Sequence, residues 1–154
     1  MYSPGQTLST RALALWDRLE HGLNALQPLA ALLARLYVAQ VFFLSGLTKL
    51  RDWDITLLLF ADEYKVPFLS PAVAAVLGTA GELILPVLMV LGLAGRLAAL
   101  GLSVVNGVAV LALAEIAPAA LQLHVTWGAL LAALVLYGCG PWSIGPLLRR
   151  RVMP

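Results

Sequence analysis

Residues 71–117, PAVAAVLGTAGELILPVLMVLGLAGRLAALGLSVVNGVAVLALAEIA, decide the fold. They hold two apolar blocks, at about 71–93 and 97–117, and each is long enough to cross the roughly 30 Å hydrocarbon core of a bilayer as an α-helix. The link LAGR between the blocks is too short for anything but a tight turn. The two blocks are therefore predicted to form an antiparallel hairpin of membrane-spanning helices.

The composition of the whole chain agrees with a membrane environment. Of its 154 residues, 61% are hydrophobic and 12% are charged, whereas soluble domains carry about 25% charged residues. The mean hydropathy is +0.91. These values exclude an ordinary soluble domain. The apolar blocks also leave few residues over for a separate soluble domain beside the membrane-spanning part. The chain (1–154) is predicted to be a single transmembrane domain.

Two more apolar blocks, at about 29–48 and 119–138, are predicted to span the membrane as well. Ser70 and Pro71 mark the start of the second span, because serine caps helices and proline is favoured at their first position. Pro118 separates the third span from the fourth. The predicted fold class is all-α integral membrane, as an up-down bundle of four transmembrane helices.

The first 28 residues are predicted to form an amphipathic helix on the membrane surface. Its apolar residues recur at spacings of three and four, and they are Leu8, Ala12, Leu15, Leu19, Leu23 and Leu26. Pro28 is expected to end this helix and turn the chain into the first span. The segment lacks a small-residue cleavage site, so the chain is expected to retain it.

A second, shorter amphipathic helix is predicted between the first two spans. Its apolar stripe consists of Trp53, Leu57, Phe60 or Ala61, and Tyr64. Asp54 is expected to cap its start. We interpret the helix as a lid over the outer mouth of the bundle. A plain surface loop is the alternative, because short apolar runs are ambiguous.

The distribution of Lys and Arg predicts the orientation, because cytoplasmic loops are enriched in these residues. With the N-terminus inside, the inner side collects seven of the ten: Arg11, Arg18, Arg35, Arg96, Arg149, Arg150 and Arg151. The outer side has Lys49, Arg51 and Lys65. Both termini, including the tail 139–154, are therefore predicted to be cytoplasmic. The net charge of +2 is attributed to topology and anionic lipid, and no nucleic-acid partner is predicted.

Glu82 lies near the middle of the second span, where an unpaired charge costs about 2.5–3.5 kcal/mol on insertion scales. Arg35 in the first span is the predicted partner. Gln40 and Asn106 are placed at a similar depth, so these four residues are predicted to form a polar pocket at the midplane. Pro86 removes the helical hydrogen bond to the carbonyl of Glu82, which then also needs a donor. The alternative is a buried ion pair that only fixes helix register.

A second polar group is predicted nearer the outer side. It comprises Lys49, Glu115, His124 and Trp127, with His124 and Trp127 on one face of the fourth span. A histidine beside a glutamate can relay protons or hold a metal ion. An ordinary interfacial histidine is the alternative, and no metal site is predicted.

The cysteine and histidine content limits the redox chemistry. Cys139 is the single cysteine, and the two histidines, His21 and His124, are placed on opposite sides of the membrane. The chain therefore lacks a dithiol, an iron–sulfur ligand set and a pair of haem ligands. Any redox role requires a bound organic molecule, such as a quinone, or the cofactor of a partner.

Three stretches resemble the DoxX family of four-helix bacterial inner-membrane proteins: RLYVAQVFFLSGLTKL (35–50), GTAGELILPVLMVLGLAGRLAAL (78–100) and GCGPWSIG (138–145). The family pattern has an Arg early in span one, a Gly-x-x-Lys near its end, a Glu in span two, a Gly-x-Arg turn and a Trp-Ser ending. The corresponding residues here are Arg35, Gly46 with Lys49, Glu82, Gly95 with Arg96, which is one residue short of the Gly-x-Arg pattern, and Trp142 with Ser143. The ending departs from the pattern at two positions. Cys139 replaces the more usual proline or small residue, and Gly145 stands where an acidic residue often follows the Trp-Ser element.

The resemblance implies a membrane subunit of a redox complex, because the family is named after a relative of the membrane subunit of a thiosulfate:quinone oxidoreductase. Such a subunit would bind a quinone, with Tyr37 and Phe42 near the ring, and would be inactive alone. The alternative is a non-enzymatic adaptor or assembly factor that recruits a partner protein through the two amphipathic helices. A homo-oligomer is compatible with either function. A small transporter is disfavoured, because no inverted repeat is evident.

Overall fold

The computed structural model describes residues 4–138, 140 and 142, with side chains from Thr10 onward. The described part contains five helices: α1 (Pro4–Arg51), α2 (Trp53–Asp62), α3 (Pro71–Leu91), α4 (Gly95–Ala112) and α5 (Pro118–Tyr137). All except α2 are long and apolar enough to cross a membrane. The predicted all-α membrane fold is thereby confirmed. Cys139, Ser143, Gly145 and the arginines of the tail lie outside the described residues.

The α3–α4 hairpin follows from local chain chemistry. Pro71 occupies the first turn of α3, where its missing N–H costs no hydrogen bond. At the other end Gly92 adopts a left-handed conformation with φ 71° and donates its N–H to the carbonyl of Met89 at 3.1 Å. Ala94 also has a positive φ, of 52°. This turn reverses the chain within three residues, as the short link predicted.

The four long helices form a closed bundle in which α3 packs between α1 and α4, and α5 packs on α4 and reaches α1. Each long helix contributes a large, fully buried side chain to the centre: Val38, Met89, Leu102 and Leu131. Because lipid tails are as apolar as these side chains, close van der Waals packing, and not transfer out of water, holds the helices together.

Helix α1 is longer than predicted and continues through Pro28. Its 48 residues correspond to about 72 Å at 1.5 Å per residue. The prediction that Pro28 ends a separate surface helix is wrong, because proline removes only the bond to the carbonyl of Asn24 and the turns on both sides remain helical. In the same turn Gln27 Nε2 donates to Asn24 Oδ1 at 2.7 Å. Residues 10–27 extend α1 and are all exposed.

The lid helix of the prediction is present as α2, so the plain-loop alternative is wrong. Its stripe, Trp53, Leu57 and Tyr64, packs partly buried against a cluster formed by Phe60, Ala74 and Ala75. The capping residue is Asp52, whose side chain accepts from Ile55 N, and not the predicted Asp54, which lies in the first turn. Helix α2 therefore lies across the first turns of α3.

Gly46 fixes the relative depth of α1 and α3. A Cβ atom at this position would lie 2.8 Å from Leu83 Cγ and 3.1 Å from Glu82 Cβ. Since real Cβ atoms do not approach so closely, only glycine permits the observed contact. Gly46 is consequently level with Glu82, and every other residue of α1 takes its depth from this point.

Candidate functional site

The carboxylate of Glu82 is paired with Lys49. Lys49 Nζ donates to Glu82 Oε1 at 2.7 Å and to Oε2 at 2.5 Å, and it also donates to Ser45 Oγ at 3.0 Å. Glu82 is 7% exposed. All three N–H donors of the ammonium group are therefore used, and the glutamate charge is compensated inside the bundle.

Arg35 does not reach Glu82, so that predicted pairing is wrong. It lies eleven residues before Gly46, which corresponds to about 16 Å along α1 from the level of Glu82. This distance is well beyond the length of an arginine side chain. Arg35 is buried and donates from Nη2 to the backbone carbonyl of Trp142 at 2.7 Å. It thereby joins α1 to the segment that follows α5.

Asn106 and His124 form a second pair, between α4 and α5. Asn106 Oδ1 lies 2.8 Å from His124 Nδ1, and Asn106 Nδ2 donates to the backbone carbonyl of His124 at 3.0 Å. Gln40, the fourth residue of the predicted midplane pocket, is exposed on α1. The four predicted residues therefore do not meet, and Asn106 connects instead to the group predicted nearer the outer side.

The outer group is likewise rearranged. His124 packs edge-on against Trp127, with ring centroids 4.9 Å apart. Trp127 Nε1 donates to the hydroxyl of Tyr37 at 3.3 Å, which joins α5 to α1. Glu115 is exposed in the connection between α4 and α5. Within the described residues, no three His, Cys, Asp or Glu side chains come together as metal ligands would.

The Lys49–Glu82 pair and the His124 ring border a single cavity of about 610 Å³. Lys49 and Glu82 lie in its wall, and so do His124 and Trp127. The rest of the wall is mostly apolar and includes Val41, Phe42, Leu77, Val104, Val105 and Val108. A mostly apolar cavity of this size with a few converging polar groups is typical of sites for small organic ligands. The two groups that the sequence separated by depth thus contribute to one candidate site.

Comparison with known protein families agrees with this geometry. The family model described as DoxX matches residues 30–115, which is more than half of the chain. This chain belongs to the DoxX family. Searches of the curated proteins and of the solved structures found no match. The matched residues include both Lys49 and Glu82, whereas His124 and Trp127 lie beyond them.

One wall of the cavity in this DoxX protein is built by α2 and the segment that follows it. Tyr64 and Phe60 both line the cavity, and their ring centroids are 4.9 Å apart. The segment is joined to the end of α4 by a backbone hydrogen bond, in which Lys65 N donates to the carbonyl of Ala112 at 2.8 Å. The sequence pattern assigns Tyr64 to the apolar stripe of the short amphipathic helix and not to a site. Its spacing of four residues from Phe60, which puts both rings on one face, was the available signal.

The Tyr64 hydroxyl is electrostatically coupled to the ion pair. Burial raises the pKa of Tyr64, and the negative charges of Glu82 and then Glu63 raise it further. Because a carboxylate disfavours the phenolate, we expect Glu82→Gln to lower the pKa of Tyr64 toward its ordinary value of 10.0. Glu63→Gln should lower it by less. The measurement is a phenolate absorbance titration in a background where every other tyrosine is phenylalanine. Equal shifts in the two variants, or none, would contradict the coupling.

Proposed function

We propose that this DoxX protein is a membrane subunit that binds a quinone, or a similar lipid-soluble ring compound, in the cavity beside Lys49 and Glu82. The observation that carries the proposal is a charged pair in the wall of an otherwise apolar cavity of about 610 Å³. A purely structural ion pair is expected to be packed on all sides, whereas this pair borders space that a ligand can fill.

The chemistry of the wall suits a quinone ring. The ring oxygens are hydrogen-bond acceptors, and Lys49 is a cationic donor that can exchange its contact with Ser45 for one with a ligand. Glu82 is a carboxylate that can accept a proton from the reduced ring. Phe42 and Trp127, whose rings pack edge-to-face at 6.0 Å, supply aromatic surface.

The proposed subunit acts within a redox complex and not alone. The sequence has one cysteine and two histidines, too few for an iron–sulfur or bis-histidine haem centre. Electrons for a bound quinone must therefore come from a partner. With both termini in the cytoplasm of a bacterial inner membrane, as the positive residues favour, the cavity and α2 face the outer leaflet.

Ligand binding tests this function directly. Purified protein in lipid nanodiscs is titrated with decylubiquinone, and quenching of Trp127 is followed in a background where Trp16, Trp53 and Trp142 are phenylalanine. We expect Glu82→Gln and Lys49→Gln each to weaken binding about tenfold, the effect of losing one charge-assisted hydrogen bond. Glu115→Gln, a change of the same kind at an exposed position, should leave binding unchanged. Unaltered affinity in both cavity variants, or no saturable binding by the parent protein, would overturn the proposal.

A second candidate function is an adaptor that recruits a partner protein through the first part of α1. The observation that favours it is the exposure of large apolar side chains between residues 10 and 27, namely Leu13, Leu15, Trp16, Leu19, Leu23 and Leu26. Helix α2, by contrast, already packs on α3 and has less surface to offer. Affinity purification of the full chain and of a variant lacking residues 1–27 distinguishes the functions. Identical sets of co-purified proteins would exclude the adaptor.

A further inference from the structure

The orientation of the Asn106 side chain determines which nitrogen of His124 carries a proton. Asn106 Nδ2 donates to the backbone carbonyl of His124 at 3.0 Å, and a carbonyl only accepts. The amide is therefore fixed with Oδ1 toward His124 Nδ1, at 2.8 Å. Since Oδ1 also only accepts, Nδ1 must be the N–H nitrogen. In the neutral imidazole, Nε2 is then an unprotonated acceptor.

The acceptor edge of the ring belongs to the cavity. His124 lines the cavity, whereas Asn106 does not. Because Asn106 engages Nδ1, Nε2 is the ring nitrogen that is left for a ligand. Within the described residues, Nε2 makes no hydrogen bond. Lys49 and Glu82 line the same cavity from α1 and α3, and Tyr64 from the segment after α2. The cavity thus offers an acceptor at His124 and, on a different helix, a donor at Lys49 once Lys49 exchanges its contact with Ser45.

From this arrangement we infer that the cavity selects ring compounds that carry a hydroxyl group, with the hydroxyl donating to His124 Nε2. The inference rests on the proposed function and specifies its ligand, which is the hydroquinone form in preference to the quinone. An oxidised quinone has only acceptor oxygens and places one of them against the lone pair of Nε2. A hydroquinone has O–H donors, one of which can meet the lone pair of Nε2. His124 is therefore a specificity-determining residue and Asn106 is its positioning residue.

Three ligands that share the same ring but differ at its oxygens distinguish recognition of the hydroxyl group from binding of the ring. Decylubiquinol, decylubiquinone and the dimethyl ether of decylubiquinol are titrated anaerobically into the full-length protein in nanodiscs, at a pH of about 8, where an ordinary imidazole is neutral. Binding is followed by the fluorescence of Trp127, again in the background where Trp16, Trp53 and Trp142 are phenylalanine. We expect the quinol to bind about fivefold more tightly than the other two, which corresponds to one net hydrogen bond. Equal affinities of the quinol and the ether would overturn the inference, while the quinone titration still tests the proposed function separately.

Two variants and a matched control identify the residue responsible. His124→Phe keeps an aromatic ring beside Trp127 but removes Nε2, so the preference for the quinol should disappear while the ether binds as before. Asn106→Ala keeps the imidazole but frees its tautomer, and the preference should decrease. His21→Phe, on the exposed part of α1, should change neither affinity. A quinol preference that survives His124→Phe would overturn the assignment.

The tautomer can also be read without a ligand. Nitrogen chemical shifts of the full-length protein, labelled at its two histidines, should show His124 as the Nδ1–H form, and Asn106→Ala should abolish this bias. His21 provides the internal reference for an imidazole in the exposed part of α1. A His124 protonated at Nε2 in the parent protein would contradict the inference even if every variant binds ligand poorly.

Discussion

Replacing Lys49 with methionine is expected to destabilise the folded bundle by about 3–5 kcal/mol, because it leaves a buried carboxylate without its cation. Lys49 supplies both hydrogen bonds to Glu82 shown by the structure, and Glu82 is only 7% exposed. Methionine keeps the length and the apolar stem of the side chain. The loss therefore measures the uncompensated charge and not a cavity. Equilibrium unfolding in detergent micelles, followed by circular dichroism, provides the free energy.

Two further variants show whether the charge is responsible. Lys49→Met combined with Glu82→Leu removes both charges and should recover most of the lost stability, since apolar replacement of a buried pair is often neutral. Lys65→Met is the matched control, because Lys65 is exposed and its ammonium group bonds only to the carbonyl of Ala61 among the described residues. A stability loss in the double variant as large as in Lys49→Met alone would show that packing, and not the charge, is at stake.

Gly46→Ala is expected to cost about 1–3 kcal/mol, the usual effect of inserting a methyl group into a packed interface. The new Cβ would lie 2.8 Å from Leu83 Cγ, an atom near the middle of its side chain that cannot turn away without moving the whole residue. Helices α1 and α3 must separate, and Lys49, one turn further along α1, is then drawn away from Glu82. Unfolding measurements should therefore show lower stability, and quinone binding should weaken in the same variant.

Gly107→Ala is the control for this substitution, because a Cβ at Gly107 has no atom within 4 Å. It also lies in a membrane-spanning helix. With no clash, alanine should be neutral or stabilise by up to about 1 kcal/mol through its helix propensity. Leu83→Ala should partly rescue Gly46→Ala by removing the atoms in the way. Equal effects of the two glycine substitutions would contradict the close contact between α1 and α3.

The arrangement of the spans was predictable because it depends on local chemistry. Apolar length decides which segments cross the membrane, and Pro71 and the short link after α3 decide where the chain turns. Pro28 misled the prediction because a local rule for ending helices was outweighed by the helical turns on both sides of it. A helix loses one hydrogen bond at proline but need not end there.

The pairing within the site was not predictable from depth along each helix. Hydropathy starts the first span at about residue 29, and the depth counted from that start puts Arg35 within reach of Glu82. In the structure, the contact of Gly46 with Leu83 sets that depth, and it brings Lys49 to Glu82. Contacts between helices depend on side-chain shape, to which hydropathy is insensitive. The hydrogen bonds between Asn106 and His124 were missed for the same reason, because hydropathy places the two residues at different depths in the membrane.

The unbroken course of α1 has a mechanical consequence. An α-helix is a stiff rod, and this one runs for about 72 Å from residues outside the bundle to Lys49 in the cavity wall. If such a rod tilts by about 5° around its middle, each end, about 36 Å away, moves by about 3 Å. A partner that binds the exposed leucines between residues 10 and 27 therefore also affects the angle at which the Lys49 ammonium group meets the Glu82 carboxylate.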